Sequence, residues 1–325
     1  MFAVIGEALI DLVQPGFGAS YEARPGGGPL NIAVGLQRLG HPTTMMARLS
    51  DTPLGRLVRA YAASNELDLS ACVTTPENPT LAFASVDEHG VAGYDFYLEG
   101  TGDWGWNAAE LERLPKDARV VHTGSLACAI PPGAEQLLAW WRRLDLEGDR
   151  LLTFDPNIRP IQLSHPNPAA LVESFVAASQ LVKISDEDLT LLYPGDSPHD
   201  VARRWLGLGP ELMVMTQGAN GCRALRPDGR ILDVPAPQVS VIDTIGAGDA
   251  FMSGLLSGLA DIGAATPGGL RTLPTEDLQV ALERAVTVAA LTCTRPSADP
   301  PTRRELDRAI VGSPTRRRDG LEAPQ

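Results

Sequence analysis

Lysine is nearly missing from this chain: Lys116 and Lys183 are the only two among 325 residues. Neither follows a glycine, so the GxxxxGK[ST] loop, in which a lysine reaches the phosphates of a nucleotide, is excluded. Any handling of ATP must use another device. Cysteine is scarce as well. Cys72, Cys128, Cys222 and Cys293 lie far apart with no CxxC pair, so neither a disulfide framework nor a structural zinc site is indicated, and they read as small buried hydrophobes. No run approaches the ~18 apolar residues of a membrane helix. The start, Met1-Phe-Ala-Val-Ile-Gly6, has no basic leader or small-residue cleavage site, so the cytoplasm is the expected location. Positive charge is also short. With 27 basic against 40 acidic residues the net charge is −13, and a nucleic-acid surface, which needs clustered positive charge, is disfavoured.

What is present is an ordinary globular composition, 44% hydrophobic and 21% charged, long enough to bury a large core. Short apolar runs alternate with stretches of helical spacing. Phe2 to Gly6 precedes Ile32, Val34, Leu36 and Leu39; Val120 to His122 precedes Leu137 to Leu144. Leu151 to Phe154 precedes Leu171 to Val176, and Leu181 to Ile184 precedes Leu189 to Leu192. This order predicts an α/β fold with a mostly parallel sheet covered on both faces. One region breaks the alternation. Leu81 to Asp87 and Val91 to Leu98 read as a hairpin about Glu88-His89-Gly90, and Leu12 to Arg24, interrupted by Pro15, Gly16 and Gly18, reads as a strand-like stretch able to join it. Together they make a small sheet suited to a lid that keeps water from a reacting phosphate. Leu212 to Met215, a turn at Gly218 to Gly221, antiparallel strands near Arg223 to Leu225 and Arg230 to Val234, and a helix from Thr275 to Thr292 complete the order. The expected organisation is one domain over 1–312 with lid segments at about 12–28 and 80–100, then a flexible tail over 313–325.

The stretch richest in chemistry is Asp243-Thr-Ile-Gly246-Ala247-Gly248-Asp249-Ala-Phe-Met-Ser-Gly254. Two glycines one residue apart can turn backbone N–H groups inward, and a helix from about Asp249 to Leu259 aims its positive end at the same place. That is an anion pocket built without lysine. A carboxylate at its mouth is unfavourable beside a bound phosphate unless it has work to do, such as accepting the proton of an attacking hydroxyl. On Gly-Ala-Gly-Asp alone, a plain helix cap reads equally well.

The longer string, together with Gly26-Gly27-Gly28-Pro-Leu-Asn31-Ile-Ala-Val-Gly-Leu-Gln-Arg-Leu-Gly40, resembles the two signatures of the PfkB, or ribokinase-like, carbohydrate kinases, in the right order. The resemblance runs from Gly6 to about Arg304. It implies a three-layer α/β/α fold with a small lid and transfer of the γ-phosphoryl group of ATP to a sugar hydroxyl, with Mg²⁺ as cofactor. By resemblance Asp249 is the catalytic base, and the amides of Gly246, Ala247 and Gly248 form the anion hole. Thr216-Gln-Gly218-Ala-Asn-Gly221 resembles the nucleotide loop. Asp11 resembles the aspartate that binds sugar hydroxyls at the end of the first strand, and Gly27, Gly28 and Asn31 match the substrate loop. Asp155-Pro-Asn157-Ile-Arg159 resembles a DxNxR segment of the fructokinase and ketodeoxygluconate-kinase branch, where Arg159 can bridge phosphate oxygens or a sugar carboxylate. Phe96 on the hairpin is placed to cover a sugar face.

Departures sharpen the reading. Where many relatives carry NxxE, this chain has Ser185-Asp-Glu-Asp188: Ser185 is assigned to the nucleotide side and Asp188 to indirect contact with the metal. Leu9 and Gly28 replace an asparagine and a lysine of ribokinases proper, which points away from ribose. Carbonyls near Asp243 and Ile245 match a potassium site of relatives, although Ser297 stands where glycine is more usual. The expectation is therefore a fructokinase-like enzyme acting on a primary hydroxyl of fructose or a similar ketose, with a homodimer through the lid. The alternatives are 2-keto-3-deoxygluconate, a nucleoside, or, in another class, a silent sugar sensor, which the retained Asp249 and glycines disfavour. A nicotinamide dehydrogenase fails on spacing, because Asn31 stands where GxGxxG needs glycine.

Overall fold

The computed structural model describes residues 1–14, 20–86 and 92–312. The strands are β1 (Phe2–Ile5), β2 (Leu9–Val13), β3 (Glu22–Gly26), β4 (Thr43–Met46), β5 (Arg48–Ser50), β6 (Val73–Thr75), β7 (Leu81–Val86), β8 (Ala92–Tyr97), β9 (Val120–Gly124), β10 (Leu151–Asp155), β11 (Leu181–Ser185), β12 (Leu212–Thr216), β13 (Cys222–Leu225) and β14 (Ile231–Val234). The helices are α1 (Gly28–Arg38), α2 (Pro53–Ser64), α3 (Ala108–Leu111), α4 (Gly133–Glu147), α5 (Pro160–Leu163), α6 (Pro168–Ala177), α7 (Asp186–Leu192), α8 (Pro198–Leu206), α9 (Ala247–Asp261), α10 (Pro267–Thr272), α11 (Thr275–Cys293) and α12 (Arg303–Gly312). None of the described helices is long and apolar enough to cross a membrane.

Eight strands form the main sheet in the order β14-β13-β12-β11-β10-β9-β1-β4, parallel from β12 to β4 and antiparallel at the β13-β14 edge. Successive side chains of a strand face opposite ways. Val4, Val120, Leu151, Leu181 and Val214 therefore join a core with α1, α9 and α11. Ile5, Val121, Leu152, Val182 and Met213 join a second core with α4, α6 and α8. This is the expected three-layer fold. β1 lies between β4 and β9, so the chain order reverses there, and the crevice beyond the carboxyl ends of these strands is where such sheets place ligands.

α9 is buried almost throughout, from Asp249 to Leu259, and small residues allow it to be. A Cβ on Gly35 of α1 would meet Ser253 Oγ at 2.4 Å, one on Gly254 would meet Ala285 Cα and Val288 Cβ at 2.9 Å, and one on Gly258 would meet Ala281 Cα at 2.8 Å. The helix is thus pressed between α1 and α11, and its first turn has one possible position.

The second sheet has the order β3-β2-β7-β8. The stretch expected as one interrupted strand is two antiparallel ones, β2 and β3, and β2 runs parallel to β7 of the expected hairpin. Pro15, Gly16 and Gly18, the Glu88-His89-Gly90 turn and the 313–325 tail lie outside the described residues. Asp11 requires a correction. It does not end the first strand, which stops at Ile5; Gly6 (φ 157°) hands the chain from the main sheet to the small one, and Asp11 stands in the middle of β2. The α9–α11 contact makes Gly254→Val an overpacking change. We expect a loss of about 1–3 kcal/mol, read as a lower urea midpoint at unchanged m value.

Candidate active site

The first turn of α9 begins at Gly246, whose φ of 74° is left-handed and suits glycine. Space demands glycine too, since a Cβ would lie 2.4 Å from that of Ala298. The turn is fixed from both ends by Asp243, whose carboxylate accepts from the Ile245 amide at 2.9 Å and from the Ser297 amide at 2.8 Å. Ser297 itself has φ 64°, which explains why glycine would be at ease there. Of the three amides expected in the anion hole, that of Ala247 donates back to the Thr244 carbonyl at 3.1 Å. The amides of Gly246 and Gly248 are not drawn into such a bond.

Asp249, in that first turn, is buried, and its Oδ2 accepts from Asn31 Nδ2 at 2.8 Å. Burial lifts its carboxyl to about 6. The Asn31 hydrogen bond opposes the lift, Asp155 adds to it, and Lys183 and Arg159 oppose it. Asn31 holds this carboxylate because Gly27 and Pro29 start α1 directly across from α9. The other oxygen, Oδ1, lies on the Gly28 side, where a Cβ would meet it at 3.4 Å and Asn157 Nδ2 at 3.0 Å.

From this carboxylate a cleft of about 310 Å³ opens toward the small sheet. Pairing aligns Arg24, Asp11, Ala82 and Phe96 in one row across β3, β2, β7 and β8. Arg24, Asp11 and Phe96 line the cleft with Gly27, Asn31, Arg159, Gly246 and Asp249. Burial lifts the Asp11 carboxyl to about 6, with Arg159 opposing and Asp249 adding. Of the sugar-side residues named from sequence, Asp11, Gly27, Asn31, Phe96 and Arg159 line this one cavity; Gly28 is not in its lining and sits beside Asp249.

The residues named for the nucleotide lie elsewhere. Ser185, Asp188, Thr216, Gly218 and Gly221 do not line the cleft; they sit at or beyond the carboxyl ends of the neighbouring strands β11 and β12. Ser185 caps α7, its Oγ accepting from the Asp188 amide at 2.9 Å. Asp188 is buried, which raises its carboxyl, and Lys183 opposes the rise.

Three further groups, Glu7, Ser125 and Lys183, escaped the reading of the sequence. Glu7 lines the cleft, fully desolvated, and burial pushes its carboxyl to about 7 against a hydrogen bond from Ser125 and one from the Ala127 amide at 3.1 Å. Ser125, also in the wall, has φ 56°, a strain that functional sites often store. Lys183 and Asp155 form a buried ion pair of 2.8 Å. The available signal was positional: each strand face that is apolar at Leu151 and Leu181 turns charged at its carboxyl end.

Comparison with known proteins decides the assignment. The model of the pfkB family carbohydrate kinases matches residues 1–304. The chain belongs to this family. It is a sugar kinase by that membership, and its curated relatives include a fructokinase of Rhizobium leguminosarum bv. trifolii, 36% identical over 270 residues that cover 80% of this chain and 79% of the relative. Among solved structures, a Xylella fastidiosa fructokinase with bound ATP matches at TM-score 0.87 and 25% identity, covering 95% of this chain and 98% of that one. A double-mutant fructokinase from Vibrio cholerae O395, in fructose, ADP and potassium ion bound form, matches at 0.79 and 26%, covering 91% and 93%. For this kinase, Gly246→Ala puts a side chain in a left-handed turn at a cost of about 1–2 kcal/mol. We expect the thermal midpoint to fall by about 2–8 °C and kcat by about tenfold or more as the amides shift.

Proposed function

We propose that this kinase moves the γ-phosphoryl group of ATP onto a primary hydroxyl of fructose or a closely similar ketose. The observation that carries the reading is the placement of Asp249: a buried carboxylate, held by Asn31 at 2.8 Å, between the sugar-sized cleft and the Gly246 turn. Oδ1 of Asp249 takes the proton as the hydroxyl oxygen forms its bond to the γ-phosphorus. The bridging P–O bond breaks, and its electrons leave on the β-phosphate of ADP. The amides of Gly246 and Gly248, with that of Ala247 completing the turn, face charge that develops on the transferring group. Asp11 accepts hydrogen bonds from two sugar hydroxyls, Gly27 and Gly28 let the sugar approach the backbone, Phe96 covers its face, and Arg159 steers phosphate oxygens. Thr216, Gly218 and Gly221 carry the nucleotide, beside Ser185.

Magnesium fits as an ion held by the triphosphate and its waters. No three acidic, histidine or cysteine side chains among the described residues are grouped to hold a metal, and Asp188 would reach it through water. The ion neutralises phosphate charge when bound. Potassium fits the carbonyls near Asp243 and Ile245, where the Ser297 loop closes on them. A homodimer through the small sheet is supported by its outward face, where Phe83 stacks edge-on against Tyr21 (5.4 Å) and tilts against Tyr97 (5.1 Å), both tyrosines being exposed. Tyr97→Asp should raise the monomer fraction in sedimentation velocity at micromolar protein.

A second reading, an acidic ketodeoxy sugar, draws on Arg24 and Arg159 in the cleft wall. Both are already engaged: Arg24 pairs with Glu22 and Ser297, and Arg159 with the field of Asp11 and Asp249. A coupled ADP-release screen over fructose, tagatose, ketodeoxygluconate, ribose and adenosine decides between them. Asp249→Asn, the blank, should lose about 10²–10⁴ in kcat while calorimetry finds sugar binding within a few-fold of wild type. The base works only when ionised, so kcat/KM should fall with unit slope below about pH 6 and level off above it. A profile flat to pH 5 would remove Asp249 from the role.

A further inference from the structure

One of the two lysines lies directly beneath the anion hole. Lys183, on β11, is buried, and its Nζ is 2.8 Å from Asp155 Oδ2. A Cβ on Gly248 would lie 2.9 Å from the same nitrogen, so the ammonium packs against the backbone of the second residue of α9. The pair is not self-contained. Asp155 is itself buried, and its Oδ1 has no hydrogen-bond partner.

The groups that face Lys183 come from every element around it. They are Asp155 of β10, Asp188 of α7 and Asp249 of α9. Burial opposes its charge, but these three carboxylates outweigh burial and hold the ammonium above its ordinary value. Arg159, after β10, acts on Asp188 and Asp249. His122 of β9 stays neutral, its imidazole lowered to about 3 by burial and by Lys183.

Replacing a buried ion pair by apolar side chains is often neutral or stabilising, so stability alone is a weak account of this one. The floor of the site offers a clearer one. Three carboxylates would repel an incoming phosphoryl group, and among the described residues Lys183 and Arg159 are side-chain cations that act on Asp188 and Asp249. We propose that Lys183 is a positioning residue for phosphoryl transfer: it supports the Gly248 turn from below and supplies the buried positive charge that lets an anion approach this acidic floor. Gly248 then lacks a side chain because the ammonium occupies its place.

The inference rests on the kinase reading above, and the test separates the two. If wild-type protein phosphorylates no sugar in the screen, the kinase reading fails and this falls with it. Given wild-type turnover, two variants are compared. Lys183→Gln keeps a hydrogen bond to Asp155 without the charge, and Asp155→Asn/Lys183→Met removes both charges together, so no ion is left stranded. For both we expect kcat to fall 10- to 100-fold and KM for sugar to stay within about threefold. In Lys183→Gln the acid limb of the kcat profile should also move up by about one pH unit as Asp249 loses its neighbouring cation, whereas in the double variant the loss of Asp155, which raises Asp249, offsets that shift. Gly248→Ala should cost less in the Lys183→Met/Asp155→Asn background than in wild type, because the two positions are in contact. Wild-type kcat and an unmoved pH profile in a folded variant would overturn the proposal, leaving Lys183 a structural residue only. A rise in sugar KM at unchanged kcat would overturn it equally.

Discussion

A carboxylate buried against the positive end of a helix, next to the path of an anion, must be held by something that does not neutralise it. Asn31 meets that need. Its amide donates to Asp249 Oδ2 across the gap between α1 and α9, orienting the carboxylate without contributing a charge. A lysine at that position would have suppressed the basicity that a proton acceptor requires. The contact in turn depends on how closely the two helices approach, and that is set by Gly35 against Ser253 and, on the far side, by Gly254 and Gly258 against α11. The placement of one oxygen atom is therefore decided by the absence of side chains at three positions in two helices.

The electrostatic problem follows from the same arrangement. The chain carries −13, and its site concentrates the imbalance, with Glu7, Asp11, Asp155, Asp188 and Asp249 gathered near the proposed path of the phosphoryl group. Backbone amides answer part of this, because they offer positive partial charge that cannot be titrated away. Burial answers another part. It lifts Glu7 to about 7 and Asp11 and Asp249 to about 6, so these groups lie close to the pH at which a proton can be taken up or released with little driving force. The same shift that costs the folded protein stability as pH rises through these values is what makes a base useful near neutrality.

The sequence was most legible where every position answered a separate demand. In Asp243 to Gly254 each of the named residues has its own reason: Asp243 ties two amides, Gly246 turns left-handed against Ala298, Gly248 makes room for Lys183, and Gly254 makes room for α11. Several such demands in one short string are hard to meet by chance. The alternation of strands and helices was legible for a similar reason, because burial on both faces of a parallel sheet leaves long apolar runs. Asp11 was misplaced because a strand and its continuation into a second sheet look alike in one dimension, and only Gly6 marks the break. Lys183 and Glu7 were passed over because a single charged residue in an apolar run carries no periodicity. Its meaning comes from partners 28 and 120 residues away.

Those long-range partners also join the two halves of the site. Arg24, on the small sheet opposite Asp11, hydrogen-bonds Ser297 in the loop before α12. The Ser297 amide donates to Asp243, and Asp243 pins Ile245 at the start of the turn that ends in Gly246. A chain of contacts thus runs from the small sheet that lines the cleft to the Gly246 turn. Arg159 makes a second link through space, lowering both Asp11 and Asp249 from the positions that burial alone would give them. A shift of the small sheet toward or away from the cleft would therefore alter the Gly246 turn and Asp249, the proposed anion hole and base, together. A kinase gains from that coupling, because a phosphoryl group poised over an open cleft would be transferred to water.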